Sequence, residues 1–366
     1  MRILAIEPYY GGSHRAFLDG WVENSRHDWH LLTYSAHHWK WRVRHSAISA
    51  AQWFNDRAGN ESWDAIFCSS MLDLATWRGL LATKPPPVVL YFHENQLTYP
   101  TQTDSPRDLH FGFTNWTSTL AANAVWFNSE FHRGAWVDAV RQLLNRMPAP
   151  SMDQQERRTE SKFSVQSPGI SLIAPHPRTP DEPLTIVWAA RWEHDKRPDR
   201  FLRAIDQLNA EGHDFRLQVL GQAYDDVPSA MTELHSRYAD KITHWGPAPT
   251  DQYRAILSES DVVISTADHE FFGLAVVEAI SAGCYPLLPN RLSYPELIGG
   301  QQDDHLYRTV DGLGRCLAEL SERKRATGSV WRSDPHLLGD SMIRYSWHRR
   351  AKAMDEQIQR LTERAT

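Results

Sequence analysis

The sequence predicts an α/β protein made of two doubly wound, Rossmann-like domains facing a central cleft. Three observations predict it. The chain has 366 residues, more than one core of ordinary size. Short β-rich runs alternate with amphipathic stretches of helical period, the pattern of a parallel sheet with helices on both faces. The alternation stops at a polar, proline-rich segment near the middle and then restarts.

In the first half the strand candidates are Ile3–Glu7, His30–Tyr34, Ala65–Ser69, Val88–Phe92 and Val125–Asn128. Helical stretches lie between them, among them Leu18–Asn24, Ser46–Asp56 and Thr114–Asn123. Met147–Ser167 is charged and proline-bearing and reads as a long surface loop. A short apolar run, Ile170–Ala174, follows. Then comes PHPRTPDEP, whose four prolines in nine residues predict a stiff linker. The second half offers strands at Thr185–Ala190, Arg216–Leu220, Val262–Ser265 and Tyr285–Leu288. Its helices are expected at Pro198–Ala210, Asp251–Ser258, Leu274–Ala282 and Gly312–Arg325, with a last one near Trp347–Arg364. The expected domains are 1–178, 179–345, and a C-terminal helix within 346–366 that packs back on the first. In such folds ligands bind at the carboxyl ends of the strands.

Composition narrows the function. No apolar run approaches the roughly 20 residues that span a bilayer. The N-terminus MRILAIEPYY reads as a buried strand, not a signal segment, so a cytoplasmic location without stable membrane association is expected. Cys68, Cys284 and Cys316 are far apart and odd in number, which argues against a disulfide framework or a zinc knuckle. Net charge is −6, but Lys40, Arg42, Arg44 and His45 cluster early, and several of the fifteen tryptophans lie beside basic residues.

The strongest motif runs from Glu270 to Glu278. It follows the strand DVVIST and opens the helix LAVVEAISAG. Glu270 stands on the loop, and at about 1.5 Å rise per residue Glu278 sits roughly one turn inside. Gly273 permits close backbone approach, and free N–H groups at the helix start suit a phosphate. One carboxylate then suits ribose hydroxyls and the other a sugar. The plainer alternative is a capping glutamate and an unrelated surface glutamate. In the second motif Arg191 and Lys196 bracket the loop after TIVWAA, where they can neutralise a diphosphate or simply be solvated. The third, Gly11-Gly12-Ser13-His14, follows the first strand and points backbone donors outward, but lacks the spacing and the acidic partner of a dinucleotide fingerprint. The fourth, Tyr91 to Gln96, ends an apolar strand with His93, Glu94, Asn95 and Gln96, polar groups suited to a sugar hydroxyl or a proton. The sequence holds no Asp-x-Asp pair and no convincing metal-ligand spacing, so no metal or cofactor is expected.

Arg191…Lys196, Gly221 after LQVLG, and Glu270-x7-Glu278, in this order, resemble the retaining GT-B glycosyltransferases of the family 4 type. The resemblance covers about 180–345. It implies Arg191 and Lys196 on the donor diphosphate and Glu278 on the ribose. Glu270, with the backbone of Phe272, Gly273, Leu274 and Ala275, would surround the donor sugar and phosphate, with Gly11 and Gly12 also on the donor side.

The segments EPYYGGSHRAF, LLTYSAHHWKWRVRHSA, YFHENQLTYP and FGFTNWTSTLAANAVWFNSEFHR resemble the tRNA-queuosine mannosyltransferase family over about 1–135. This implies GDP-mannose as donor and the cyclopentenediol of queuosine in tRNA-Asp as acceptor. His93 and Glu270 would then be catalytic, positioning hexose and acceptor. His14, Asn95, Gln96 and the cluster Trp39, Lys40, Trp41, Arg42 and Arg44 would meet the RNA. Other readings stay open: a transferase acting on a lipid-linked or polysaccharide acceptor, a catalytically silent RNA- or nucleotide-binding protein, and a sugar-nucleotide epimerase.

Overall fold

The computed structural model describes all residues except 101–107, 177–181, 224–225, 300–303, 333–335 and 365–366. It contains two six-stranded parallel sheets. The first is built from β1 (Arg2–Tyr10), β2 (Asp28–Ser35), β3 (Ala65–Ser69), β4 (Val88–Phe92), β5 (Ala124–Phe127) and β6 (Phe163–Val165), in the order β2-β1-β3-β4-β5-β6. The second is built from β7 (Leu184–Ala189), β8 (Phe215–Leu220), β9 (Ile242–Gly246), β10 (Val262–Ile264), β11 (Tyr285–Pro289) and β12 (Leu306–Tyr307), in the order β12-β11-β10-β7-β8-β9.

Alternation along each strand explains why the strands are apolar on both faces. Leu4, Ile6, Ile66, Cys68, Val88 and Leu90 enter one core cluster. Their neighbours Ile3, Ala5, Ala65, Phe67, Val89 and Tyr91 enter another on the opposite face. A parallel sheet covered by helices on both sides needs just this continuous apolar run. The second sheet repeats the division, with Ile186, Trp188, Leu217 and Val219 on one face and Val187 and Val263 on the other.

Two compact units result. One comprises 1–169 with the C-terminal helix Trp347–Glu363, the other 170–346. The sequence boundary at 178/179 falls in 177–181, outside the described residues; the contacts divide the chain at Gly169/Ile170. The C-terminal helix presents Ala351, Met354 and Ile358 to the same core cluster as Phe17 and Trp21. Asp355, 2% exposed, accepts from Trp21 Nε1 (2.9 Å), Ser25 Oγ (2.8 Å) and the Arg26 N–H (2.9 Å), so its buried charge is hydrogen-bonded.

Two sequence expectations need correction. Residues 147–167 are not one long loop; they hold a helix, Asp153–Glu160, and the edge strand β6. Arg141 binds Glu156 (2.6 Å) and Glu160 (2.7 Å), which ties that polar helix to Glu130–Leu144. The basic cluster Trp39–Arg44 opens the helix Trp39–Asn55, whose start the sequence reading placed at Ser46.

Candidate active site

Strand order fixes where side chains can gather. In the first sheet the chain turns from β1 to β2 on one side and to β3 on the other. In the second, β7 and β10 are adjacent although far apart in sequence. These reversals leave crevices beyond the carboxyl ends of the strands. Each crevice holds a buried basic side chain between two carboxylates.

In the second unit β7 ends in a loop that closes as a short 3-10 turn, His194–Lys196, before the helix Pro198–Ala210. Lys196 is 7% exposed. Its Nζ donates to the His269 carbonyl (2.6 Å) and lies 3.2 Å from Asp195 Oδ2 and 3.4 Å from Glu270 Oε2. Burial works against the charge, but Glu270 and Asp195 outweigh it and raise Lys196 above its ordinary value. The loops after β7 and β10 are stitched together: the Thr266 hydroxyl donates to the Lys196 carbonyl (2.7 Å), and the Asp268 N–H to the Asp195 carbonyl (2.8 Å). Burial, then the Lys196 charge, lowers His269 to about 4, leaving it a neutral ring.

A pocket opens here, lined by Lys196, Thr266, Glu270, Gly273, Ala275 and Tyr294 among others. Gly273 caps the helix Leu274–Ser281 with φ +96°, a left-handed conformation that favours glycine. The Val276 and Val277 N–H groups donate to the Gly273 carbonyl, so Leu274 and Ala275 precede the first intrahelical bonds at the positive end of the helix dipole, and Ala275 lines the pocket. The Phe272 side chain is 3% exposed and packs in the core, and its carbonyl accepts from Ser293 Oγ (2.9 Å). Glu278, one turn inside, accepts from the Tyr253 hydroxyl (2.7 Å). Burial raises Glu278, and the Tyr253 hydrogen bond opposes that shift. Gly221 has φ +126°, and a Cβ there would collide with the Ala190 carbonyl oxygen; the glycine lets β8's end pass beneath the β7 loop. Arg191 has its side chain 42% exposed and 3.1 Å from Glu193, and its charge acts on Lys196 and His269.

In the first unit Glu7 lies on β1, 1% exposed. Its Oε1 accepts from Ser69 Oγ (2.9 Å) and the Tyr9 N–H (2.8 Å), and lies 3.3 Å from His14 Nδ1. The other nitrogen of His14, Nε2, lies 3.2 Å from Glu94 Oε2. Gly11 and Gly12 open the helix Gly12–Asn24 that carries His14. The His14 ring stacks on that of His93, centroids 4.0 Å apart. His93 follows β4, and its carbonyl accepts from Asn128 Nδ2 (2.9 Å). Its Nε2 is buried without a partner. Burial, then the charges of His14 and His132, holds His93 well below its ordinary value. Glu7, His14 and His93 bring one possible metal-ligand atom each within 4.8 Å of one another. The two rings are stacked at a tilt of 31°, however, and each nitrogen of His14 lies beside a carboxylate, Glu7 at Nδ1 and Glu94 at Nε2. That describes a cation between acids, not lone pairs converging on an ion.

One acceptor-side assignment changes. Asn95 is 0% exposed, and its Oδ1 accepts from Leu97 N–H (3.1 Å), Thr98 N–H (2.9 Å) and Thr98 Oγ1 (3.1 Å). It is a turn-former, not a surface contact. Gln96 is half-buried, with its N–H donating to Asn115 Oδ1 (3.2 Å). Trp39 is half-buried against Phe111, and Arg42 donates to the Ser35 carbonyl and hydroxyl (3.0 and 2.7 Å). Trp41 is 61% exposed, and Lys40 and Arg44 are exposed beside it. Sequence reasoning missed Glu7, Asp195 and Tyr253. Glu7 is the one signal it could have used, an acid inside an otherwise apolar strand.

The family description for the N-terminal domain of tRNA-queuosine alpha-mannosyltransferase matches residues 2–170, and that for group 1 glycosyl transferases matches 172–307. The tRNA-queuosine alpha-mannosyltransferase of Drosophila melanogaster is 34% identical over 342 residues, 88% of each chain. The chain belongs to the tRNA-queuosine alpha-mannosyltransferase family. It is a glycosyltransferase. A GDP-mannose:cellobiosyl-diphosphopolyprenol alpha-mannosyltransferase of Xanthomonas oryzae pv. oryzae is 29% identical over 108 residues, 28% of each chain. Sucrose-phosphate synthase from Thermosynechococcus elongatus superposes with a TM-score of 0.75 at 12% identity, covering 100% of both chains. The fold is therefore that of the GT-B glycosyltransferases. Within the family, the His14–His93 cluster falls in the stretch matched by the N-terminal description, and Lys196, Glu270 and Glu278 fall in the group 1 stretch. Among the described residues, no helix is long and apolar enough to cross a membrane.

Proposed function

We propose that the chain transfers mannose from GDP-mannose to the cyclopentenediol of queuosine in tRNA-Asp, with retention at the anomeric carbon. The observation that carries this reading is the match to the queuosine-specific description over 2–170, the part unlike generic sugar transferases. The GDP-mannose-using relative matched over 108 residues supports the donor.

The donor lies in the second unit. Lys196 and the amides of Leu274 and Ala275 take the diphosphate, with Arg191 swinging from Glu193 to join them. Glu278 takes the ribose diol. Glu270 meets the hexose. These cations and dipoles oppose the charge that grows on the leaving phosphate, the main electrostatic demand of the step. No divalent ion is required in this reading. The bond from mannose C1 to the phosphate oxygen breaks, and a bond from C1 to the acceptor oxygen forms on the same face. The acceptor proton passes to the departing phosphate. His93 orients a hydroxyl as a neutral ring.

The acceptor side fits an RNA. From Trp29 to Asn55 the sequence has no acidic residue, and Lys40, Arg44 and the exposed Trp41 occupy one end of the helix Trp39–Asn55. Cations meet phosphates, and the open indole offers a stacking platform for an unpaired base.

Incubation of the protein with GDP-mannose and bulk tRNA, with and without queuosine, tests the reading by nucleoside mass spectrometry. The expected product is a hexosylated queuosine nucleoside, formed only from queuosine-bearing tRNA. Transfer to membrane lipid in place of tRNA would replace this reading with the lipid-acceptor one.

A further inference from the structure

His14 bears on the reaction without any need to touch substrate. Glu7 is 1% exposed and Glu94 reaches the same ring from the other side. A neutral imidazole carries a single N–H and can donate to one acceptor only. Glu94 Oε2 is within hydrogen-bond distance of Nε2 (3.2 Å), and Glu7 Oε1 lies 3.3 Å from Nδ1 as an ion-pair contact without hydrogen-bond geometry; two carboxylates on one buried ring favour its doubly protonated form. The His93 ring lies against this cation at 4.0 Å, tilted by 31°. On its other sides stand the edge of Phe17 (5.1 Å) and Tyr91 (4.7 Å).

We propose that His14 is a fixed buried imidazolium, held by Glu7 and Glu94, whose function is to keep the neighbouring His93 uncharged so that its free Nε2 can engage a substrate hydroxyl. This rests on the reading of His93 as the hydroxyl-orienting group. His14 is thus a positioning residue, and Glu7 and Glu94 are its holders. Two imidazolium rings cannot stack at such a separation without strong repulsion, so the proton that the acids draw in is committed to His14. His132, buried on the helix Glu130–Leu144, adds to the penalty on charging His93. The groups facing the pair are Glu7 and Tyr9 from β1, Glu94 and Tyr91 around the end of β4, and His132. The acids pull His14 up to about 10 although burial opposes it. Removal of His14 leaves both carboxylates beside one remaining base, His93, which then takes the proton.

Two readouts on the full-length protein decide the matter. With imidazole nitrogens isotopically labelled, NMR at about pH 8 is expected to show His14 doubly protonated, and at about pH 5.5 His93 still neutral. The kcat/KM profile of the wild type is expected to lack an acid limb from His93. In His14→Gln an acid limb appears near neutrality, falling roughly tenfold per pH unit below it. A neutral His14 at about pH 8, or a His14→Gln profile with the shape of the wild type, overturns the proposal. If His14→Gln does not fold, the NMR of the wild type decides alone. His93→Asn separates the two levels: undiminished turnover there removes the role of His93, while the charge state of His14 is still read directly.

Discussion

The two units solve one electrostatic problem with different residues. Each buries a cation between two carboxylates beyond its sheet: Lys196 between Asp195 and Glu270, and His14 between Glu7 and Glu94. The lysine is a flexible point charge with three donors, one of them already on the His269 carbonyl. Glu270, 29% exposed in its side chain, can give way when a phosphate arrives. The imidazole of His14 is rigid, with one nitrogen on Glu94 and the other 3.3 Å from Glu7. It cannot turn to a ligand; it can only shape its neighbour. In the proposed reading Lys196, on the pocket wall, is the binding group and His14 the scaffold.

Four experiments can break or sharpen this contrast. The largest effect is expected from Lys196→Gln, a loss in kcat of about 100- to 1000-fold, as for removal of a donor that stabilises a developing negative charge. Steady-state kinetics with GDP-mannose measures it; a change in KM alone would make Lys196 a mere binding contact. Second comes stability against pH. His14 has its folded value raised to about 10 from an ordinary 6.5. Its proton thus stabilises the fold fully below about pH 6.5, and the contribution is lost as pH rises through about 10. Urea unfolding across that window should show a decline on the order of a few kcal/mol, absent in His14→Gln.

Third, Tyr253→Phe removes the hydroxyl that holds Glu278 at 2.7 Å. A hydrogen bond to a charged group is worth about 1.5–3 kcal/mol, so the KM for GDP-mannose should rise roughly 10- to 100-fold with kcat retained. A fall in kcat instead would place Glu278 nearer the reacting bond than the ribose. The smallest effect is expected from Trp41→Ala. Loss of one stacking platform costs about 1–3 kcal/mol of RNA affinity, read as a higher KM for tRNA and an unchanged affinity for GDP-mannose. Equal weakening of both substrates would remove Trp41 from the RNA surface.

Much of the fold could be read directly, because buried parallel strands are short apolar runs bounded by polar turns. Ala65–Ser69, Val88–Phe92 and the helix Pro198–Ala210 have the bounds the sequence suggests. Edge strands hid. Ile242–Gly246 is only partly buried and carries His244, and Phe163–Val165 sits within a charged stretch. Asp153–Glu160 is almost wholly polar and finds its place through Arg141, a pairing no local pattern announces.

At the site, motif residues at strand ends were legible, since turns and glycines mark them. Their partners were not. Glu7 and His14 are seven residues apart, but Glu94 arrives from 80 residues away through β4. Tyr253 reaches Glu278 across 25 residues from another helix. Asn95 misled for the opposite reason: polar in sequence, it spends its side chain on its own turn.

The central claim is mannosyl transfer to queuosine by protein charges alone. Its most direct test is the rate and stereochemistry of transfer from GDP-mannose to queuosine-bearing tRNA in the presence of excess chelator. The account expects full turnover and an α-linked mannosyl-queuosine. Abolition of transfer by the chelator with rescue by a divalent ion, or a β-linked product, would contradict it.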